Sequence, residues 1–447
     1  QGCRADAKTG ASMPKDSTPD FWTWIGFKST MNYATLPKWM GGLIGFALTM
    51  VLLTLFVLVG ATIVSLIHAV LSRNLNANPT SEDIRNLGLA AGAAIGVPFL
   101  IWRSIVAQKQ VDVTEQGHIT DRINKAVEGL GAEKVVKRDG DDITEPNLEV
   151  RIGALFSLER ISQDSARDHV QIMEILCAYI RNNADRHSPA LPDDDPPEGW
   201  RKWGENNRTH PPLDVDTALK IIERRSDDRK EIEKAYNDGE GYRLGLERSR
   251  LHTLDLRYRD LTGANLSNAH LQGTDLRKAE LQGTRHWGAH LQRANLWEAK
   301  LQGASLGLAK LQGATLWDAK LQGADLGFTK LQGASLRDAK LQGANLWGAQ
   351  LQGAVLSGAQ FDSFTKTLFA DFSRSACPGV DFSECDNLSQ LQTAFGDGST
   401  ILPGGKGSDS PDWPAHWPKE KLSLRNFDTA WRAWQAEIGF QPDENPQ

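Results

Sequence analysis

The first apolar part of the chain consists of two uncharged stretches. Residues 41–71 contain no Asp, Glu, Lys or Arg, and their centre is rich in Leu, Val, Ile and Phe. About 20 such residues are enough to cross a bilayer as a helix, so this stretch predicts a transmembrane span. Residues 86–102 are also uncharged, but they are shorter and rich in Gly and Ala. They favour a second span, and the alternative is a soluble Ala-rich helix beside a single span.

Small residues in the second stretch predict close packing within the membrane. Gly88, Gly92 and Gly96 are four residues apart and would share one side of a helix. Glycines at this spacing allow a neighbouring helix to approach closely in lipid. The segment that connects the two stretches contains two Arg. More basic residues lie before the first stretch and after the second, namely Lys15, Lys28, Lys38, Arg103 and Lys109. This bias favours both termini in the cytoplasm.

The next part of the chain predicts a small helical module. Apolar residues recur at helical spacing in 150–161 and again in 169–180, as in an αα-hairpin similar to one HEAT-type unit. Residues 111–130 predict a further helix, and residues 214–225 a short one after a Pro- and Asp-rich linker. The polar residues at the hairpin turn are a candidate site or helix caps and surface pairs, and the second is favoured. They are Glu159, Arg160, Arg167, Asp168 and His169.

Beyond residue 250 the apolar period becomes five. Leu occupies every fifth position from Leu256 to Leu356, except at His286, and Phe361 continues the series. From Ala264 onward a small residue lies two positions before each of them. A period of five fits neither the 3.6 residues of a helix nor the two of a strand. It predicts a solenoid in which each unit buries its apolar side against its neighbours.

This pattern resembles the pentapeptide-repeat family, A(D/N)LXX, over residues 254–361, and it resumes at 370–372 and 380–382. The resemblance implies a right-handed quadrilateral β-helix with four pentads per coil and the Leu and small columns inside. Counted from Leu256, 22 pentads give five to six coils and a rod roughly 25–30 Å long. Residues 147–181 and the tail at 391–405 resemble segments that flank the repeats in membrane-anchored proteobacterial members. That implies the inner (cytoplasmic) membrane of a bacterium, and the Lys and Arg bias around the spans then favours a β-helix on its cytoplasmic side.

The fold class predicted is therefore mixed, with a two-helix transmembrane hairpin, a small α-helical module, the β-helix and a C-terminal α-helical cap. The amphipathic segment 422–440 is predicted to cap the solenoid, and contact with a membrane is its alternative. The predicted boundaries are 1–40 for an N-terminal tail with interfacial aromatics, 41–108 for the hairpin, 109–185 for the helical module, 186–250 for a linker and short helix, 251–382 for the β-helix and 383–447 for the cap. Because the chain begins with Gln1, Met13 is a candidate start.

Two outer faces of the predicted solenoid carry large side chains. Residues 20 apart should stack on successive coils, which places Trp297, Trp317 and Arg337 in one column. The opposite face carries Trp287, Trp347, Leu308 and Phe328. Large exposed aromatics on a rigid surface indicate a face that binds another protein. The alternative is that these ladders only set register and solubility.

Three histidines of the repeat region are weak candidates for a site. His286 replaces an inward Leu, so it marks a site, a local bulge or a hydrogen-bonded core residue, the last two being favoured. His270 and His290 share one outer column, but two His without a carboxylate or Cys make a poor metal site.

The composition argues against catalysis and against nucleic acid. The sequence has no P-loop, GxGxxG, HExxH or GxSxG motif, and its four Cys form no CxxC pair, so we expect no catalytic residue, metal or cofactor. Some relatives in the resembled family mimic duplex DNA and bind type II topoisomerases. Residues 251–382 contain 14 Lys and Arg against 11 Asp and Glu, a net charge of +3. That charge suits neither a mimic nor strong nucleic-acid binding through Lys ladders such as Lys300, Lys320 and Lys340, which the 20-residue spacing would stack. The expected function is a membrane-anchored scaffold whose partners are the membrane and another protein, such as an integral membrane complex.

Overall fold

The computed structural model describes residues 81–186, 209–237, 241–385 and 389–440, with four isolated positions between residues 60 and 68. The chain forms two compact units, residues 1–121 and residues 122–447. Helix α1, Ser81–Leu130, begins in the first unit and ends in the second.

Helix α1 contains the second predicted span, residues 86–102, in helical conformation. The first predicted span, residues 41–71, lies outside the described residues apart from four positions. Within the part that is described, no helix is both long and apolar enough to cross a membrane. The structure therefore does not support the transmembrane hairpin. Among the described residues, no atom lies within 4 Å of the position that a Cβ atom would take at Gly88, Gly92 or Gly96.

A hairpin that the apolar period did not predict opens the helical module. Strands β1, Glu133–Arg138, and β2, Asp141–Pro146, pair in antiparallel register around a two-residue turn. Asp139 and Gly140 both have positive φ angles, 56° and 98°, as this tight turn requires. The dipeptide Asp-Gly, between two short runs that contain β-branched residues, is the sequence signal from which this hairpin could have been predicted.

Four helices complete the module. They are α2, Leu148–Asp164; α3, His169–Asn183; α4, Leu213–Glu223; and α5, Asp227–Ala235. The two helices of the predicted hairpin, α2 and α3, pack together, and α4 packs against both of them. The inward side chains of α2, α3 and α4 are fully buried, with Leu158, Leu176 and Ile222 as examples. Burial of these residues stabilises the module at about 2 kcal/mol per large aliphatic side chain.

The solenoid is a four-sided β-helix with 20 residues per coil. Parallel bridges join residues 20 apart, from Gly245 with Asn265 to Lys340 with Gln360. Inward Leu side chains from Leu256 to Leu356 are buried, and so are the small residues between them. Backbone N–H groups donate to carbonyls of the adjacent coil, so the polar main chain is satisfied without long strands.

The β-helix extends beyond the repeat pattern at both ends. Its bridges begin at Gly245, before the predicted start at residue 251, and continue to Asp381 with Ile401. One coil contains an extra residue, since Asn345 pairs with Lys366 at a separation of 21. The insertion lies near residues 361–365, where the five-residue period first lapses.

The C-terminal segment covers the last coils. A 3₁₀ helix, Ser389–Thr393, precedes helix α6, Leu424–Glu437, which is capped by the Ser423 hydroxyl. Phe427, Trp431 and Gln435 lie four residues apart and are buried. The Trp431 indole donates a hydrogen bond to the Arg374 carbonyl at 3.1 Å. This helix packs on the β-helix, as the predicted cap requires.

Candidate protein-binding faces of the β-helix

Each coil turns its four faces at positions with left-handed backbone. The residue two positions after each inward side chain has a positive φ angle, and on two opposite faces that residue is almost always Gly, as in Gly303 and Gly313. The other two faces carry large residues or acids at the same place. We call one of these faces the aromatic strip, and its large side chains are Trp287, Leu308, Phe328 and Trp347. We call the other the Trp297 ladder, and it consists of Trp297, Trp317 and Arg337.

The aromatic strip is a continuous exposed surface. Trp287, Leu308, Phe328 and Trp347 are 49%, 47%, 46% and 44% exposed, so each presents about half of its side chain to solvent. The Phe328 and Trp347 rings are 4.9 Å apart, centroid to centroid, at an angle of 60°. The four residues span three coil steps, or about 14 Å.

Glycines let the strip interlock from coil to coil. A Cβ atom at Gly307 would lie 2.7 Å from the Trp287 ring, and one at Gly348 would lie 2.7 Å from the Phe328 ring. Each ring therefore packs closely against a glycine of the next coil. The large side chains are held in place by contacts that leave their outer faces open.

Two residues of the strip occupy strained backbone. Leu308 and Phe328 have φ angles of 58° and 55°, in a region where a bulky residue costs about 1–2 kcal/mol relative to Gly. Gly occupies the equivalent position elsewhere, for example at Gly288 and Gly348. Polar residues such as Lys278, Glu298 and Asp318 adopt the same left-handed backbone on the opposite face, and the strip differs from them in carrying large apolar side chains there.

The Trp297 ladder stacks as the 20-residue period predicts, but its side chains are engaged within the molecule. The Lys278 ammonium lies 5.2 Å from the Trp297 ring centre, and the Arg337 guanidinium lies 5.0 Å from that of Trp317. The Trp317 indole donates a hydrogen bond to the Ser335 hydroxyl. Both Trp are half-buried.

Helix α6 lies beside this second face. A groove of about 350 Å³ is lined by Trp317 and Arg337 from the β-helix and by Phe427 and Trp431 from α6. The chain's own C-terminal helix therefore occupies part of the Trp297 ladder, whereas the aromatic strip has no such cover among the described residues.

Charge is distributed unequally around the strip. Lys310 and Lys330 follow Leu308 and Phe328 by two residues, at the next corner of the coil. On the opposite side of the β-helix Lys300 pairs with Glu280. Within the described residues, no carboxylate forms an ion pair with Lys310 or Lys330. One edge of the strip is therefore cationic.

His286 lies in the inward column in place of Leu. The main-chain hydrogen bonds between coils continue through His286 without a bulge, because its backbone N–H donates to the Ser305 carbonyl of the adjacent coil. Its Nδ1 is 3.1 Å from the Thr284 hydroxyl, and its Nε2 has no hydrogen-bond partner among the described residues. Complete burial lowers the pKa of His286 to about 4, so the ring is neutral at physiological pH.

The other polar residues singled out in the sequence do not assemble a metal or reactive site. The His270 and His290 ring centroids are 4.9 Å apart with the planes tilted by 42°, and the described residues contain no cluster of three potential metal ligands. Burial raises the pKa of Cys177 to about 11 and that of Cys377 to about 12, so neither is a reactive thiolate.

Sequence reasoning was wrong about His169, which is buried. Its Nδ1 lies 2.7 Å from the Ser162 hydroxyl, and its Nε2 lies 2.9 Å from a Glu233 carboxylate oxygen. Arg225 Nη1 donates to both oxygens of the same carboxylate, at 2.9 and 2.8 Å. The Ser–His–Glu order suggests a hydrolase, but all three side chains are shielded from solvent, so no substrate reaches the hydroxyl. The network joins α2, α3 and α5. No local sequence pattern indicated this network, because Glu233 lies 64 residues after His169.

Comparisons with known proteins support the five-residue repeat of the β-helix. Residues 255–285, 289–327 and 319–358 match the model of pentapeptide repeats, in eight copies. This match confirms the repeats predicted from the sequence. The resemblance to a membrane-anchored type is not supported by it. No curated protein matches the chain.

Several solved structures are similar over the β-helix. One is a pentapeptide repeat protein, Rfr23, from the cyanobacterium Cyanothece, with 37% identity over 21% of this chain and 63% of that chain and a TM-score of 0.21. The chain thus spans less than two thirds of that protein. Another is HetL, a pentapeptide repeat protein involved in heterocyst differentiation regulation in Nostoc, with 28% identity over 41% of this chain and 81% of that chain and a TM-score of 0.18. QnrB1, a plasmid-mediated fluoroquinolone resistance protein, has 19% identity over 42% of this chain and 93% of that chain and a TM-score of 0.25.

Proposed function

We propose that this chain, whose β-helix is built from pentapeptide repeats, is a non-enzymatic scaffold that binds another protein through the aromatic strip. The observation that carries the proposal is the strip itself. It combines four large, half-exposed apolar side chains with strained backbone at Leu308 and Phe328. Aromatic anchors on a rigid surface provide most of the energy of a typical protein interface.

The energetic argument favours a surface that is formed before binding. The strip lies on a β-helix whose inward columns are fully buried and whose coils are joined by main-chain hydrogen bonds. Little conformational entropy is then lost when a partner docks, which is the main advantage of a preorganised site. Solubility alone would favour charged residues at these positions.

Binding of nucleic acid or mimicry of it is the weaker candidate. A topoisomerase-binding DNA mimic needs a clearly negative surface, and residues 251–382 carry a net charge of +3. Direct binding to DNA through the Lys columns is opposed by the acidic residues between them, such as Asp318 and Asp338.

A membrane anchor is a separate proposal that rests on the uncharged stretches 41–71 and 86–102. It is supported by the exposure of Leu89, Phe99 and Trp102 on α1. The scaffold would then be held at a bacterial inner membrane with its β-helix in the cytoplasm. Extraction of native membranes with alkaline carbonate tests this proposal, since an integral protein stays in the pellet and a peripheral one is released.

The scaffold proposal is tested by crosslinking in native membranes, purification in mild detergent and mass spectrometry. The full chain is compared with Trp287→Ala/Phe328→Gly on the strip and with Trp297→Ala/Trp317→Ala on the opposite face. A partner that is lost from the first variant and retained by the second supports the proposal. Partners that bind both variants as they bind the parent chain would overturn it. A topoisomerase retained by both would favour mimicry.

A further inference from the structure

We infer that the element of the partner that binds the aromatic strip is an amphipathic α-helix, with acidic residues along one flank, lying parallel to the β-helix axis. This inference rests on the proposed function and specifies its partner. It follows from three features of the β-helix, which are the spacing of the strip, the charge at its edge and the way the chain packs its own helix on another face.

The spacing of the strip matches a helix. Its large side chains lie in two adjacent columns, with Trp287 and Trp347 at the ends of one and Leu308 and Phe328 in the middle of the other. Successive coils are about 4.8 Å apart, close to the 5.4 Å pitch of an α-helix. A helix of about 10 residues extends 15 Å and would cover the three coil steps. Its apolar residues at i, i+3, i+4 and i+7 would meet the rings in turn.

The size of the strip argues against a second copy of the chain. With the exposed Leu368 and Phe369 on the coil after Trp347, the apolar surface is about 19 Å long, and one face wide it still amounts to roughly a few hundred square ångströms. A stable interface between globular proteins buries about 800 Å² on each partner. One helix is the secondary-structure element that such a narrow apolar strip accommodates.

The positive charge at one edge of the strip favours a partner helix with acidic residues on the side that faces this edge. Lys310 and Lys330 flank one side of the strip and form no ion pair among the described residues. On the other side Asp325 accepts hydrogen bonds from the Gly327 N–H and the Asn345 amide, so its carboxylate is engaged. An incoming helix therefore gains charge complementarity when Glu or Asp lies on the flank that faces the two Lys.

The chain already packs a helix against a face of this β-helix. Helix α6 presents Phe427 and Trp431, four residues apart, toward the Trp317 end of the Trp297 ladder. A partner helix would pack on the aromatic strip in the same way, with large apolar side chains at helical spacing against the stacked side chains of the strip. That face lacks an equivalent element within the described part of the chain.

A synthetic probe tests the inference independently of the natural partner. The probe is a fluorescent, stapled helical peptide of about 14 residues with Leu at i, i+3, i+4 and i+7 and Glu on one flank. Its matched controls carry Lys on that flank or the same residues in scrambled order. Fluorescence anisotropy with the full chain should show binding of the Glu peptide, and the Lys and scrambled peptides should bind about tenfold more weakly or not at all.

Variants of the chain assign the contact. Phe328→Gly, which relieves backbone strain, should weaken the Glu peptide about tenfold, while Trp297→Ala should not. In Lys310→Glu/Lys330→Glu the preference should reverse in favour of the Lys peptide. Equal binding of all three peptides, or binding unaffected by Phe328→Gly, would overturn the inference. Thermal unfolding of each variant shows whether it is folded.

A captured partner separates this inference from the proposed function. Zero-length carbodiimide crosslinks from Lys310 and Lys330 should reach acidic residues of that partner three or four positions apart. Crosslinks to acids two positions apart, as in a strand, or to scattered loops would leave the scaffold function intact and refute the helix. Absence of any partner that depends on the strip would refute the proposed function first.

Discussion

Replacing His286 with Leu should stabilise the β-helix, and the gain should increase in acid. His286 is 1% exposed in a column that is otherwise Leu. The Thr284 hydroxyl donates to the Leu281 carbonyl and so accepts from Nδ1–H of the imidazole. That tautomer leaves Nε2 as a buried acceptor without a partner among the described residues, which costs about 1–3 kcal/mol. Leu removes the polar atom and continues the apolar column.

The pH dependence follows from the burial of the ring. The pKa of His286 is lowered from 6.5 to about 4 in the folded protein. The unfolded chain therefore binds a proton below pH 6.5 that the folded protein does not bind until about pH 4, so the free energy of unfolding falls as the pH drops through this window. Each pH unit between the two pKa values corresponds to about 1.4 kcal/mol. The loss is about 2 kcal/mol at pH 5 and about 3 kcal/mol when complete.

The assay is urea unfolding of the full chain in detergent, followed by Trp fluorescence, at about pH 7.5 and pH 5. The free energy of unfolding of His286→Leu should exceed that of the parent by about 1–3 kcal/mol at the higher pH. The difference should widen by about 2 kcal/mol at pH 5. His290→Gln, an outward residue of the same coil, serves as the control and should show no comparable widening. A difference that is the same at both pH values would refute the reasoning, because carboxylates elsewhere affect parent and variant alike.

Three further perturbations test the packing. Gly348→Ala should destabilise by about 1–2 kcal/mol in the same urea assay, since its φ is 65° and the new Cβ would meet the Phe328 ring; an unchanged midpoint would contradict this. Trp431→Ala should release α6 and cost about 3–5 kcal/mol, seen as faster proteolytic cleavage near the C-terminus, whereas parent-like protection would show that other contacts hold the helix. Glu233→Gln should cost about 3–5 kcal/mol by leaving the buried Arg225 charge uncompensated, measured by thermal unfolding, and a shift no larger than that of a surface substitution would argue against the network.

The five-residue period made the β-helix predictable because its core is local. Each inward Leu contacts equivalents 20 residues away, so a pattern repeated along the chain is also repeated in space. The stacking of Trp317 on Arg337 and the burial of the small column follow from the same count. Positions where the pattern lapses were harder to predict. The coil that gains one residue and the final coil ending at Ile401 depend on main-chain pairing, which tolerates sequences outside the motif.

The sequence by itself therefore determined the solenoid and the helices α2 and α3, because each depends on a short period. Which side chains share a face followed once the family resemblance supplied the coil length. Tertiary structure decided which face is available. Both Trp-bearing faces read alike in sequence, and only the packing of α6, about 100 residues beyond Trp317, covers one and leaves the aromatic strip exposed. It likewise decided that His169 is a buried partner of Glu233 and not a surface cap. Contacts between segments so far apart along the chain leave no trace in any local pattern.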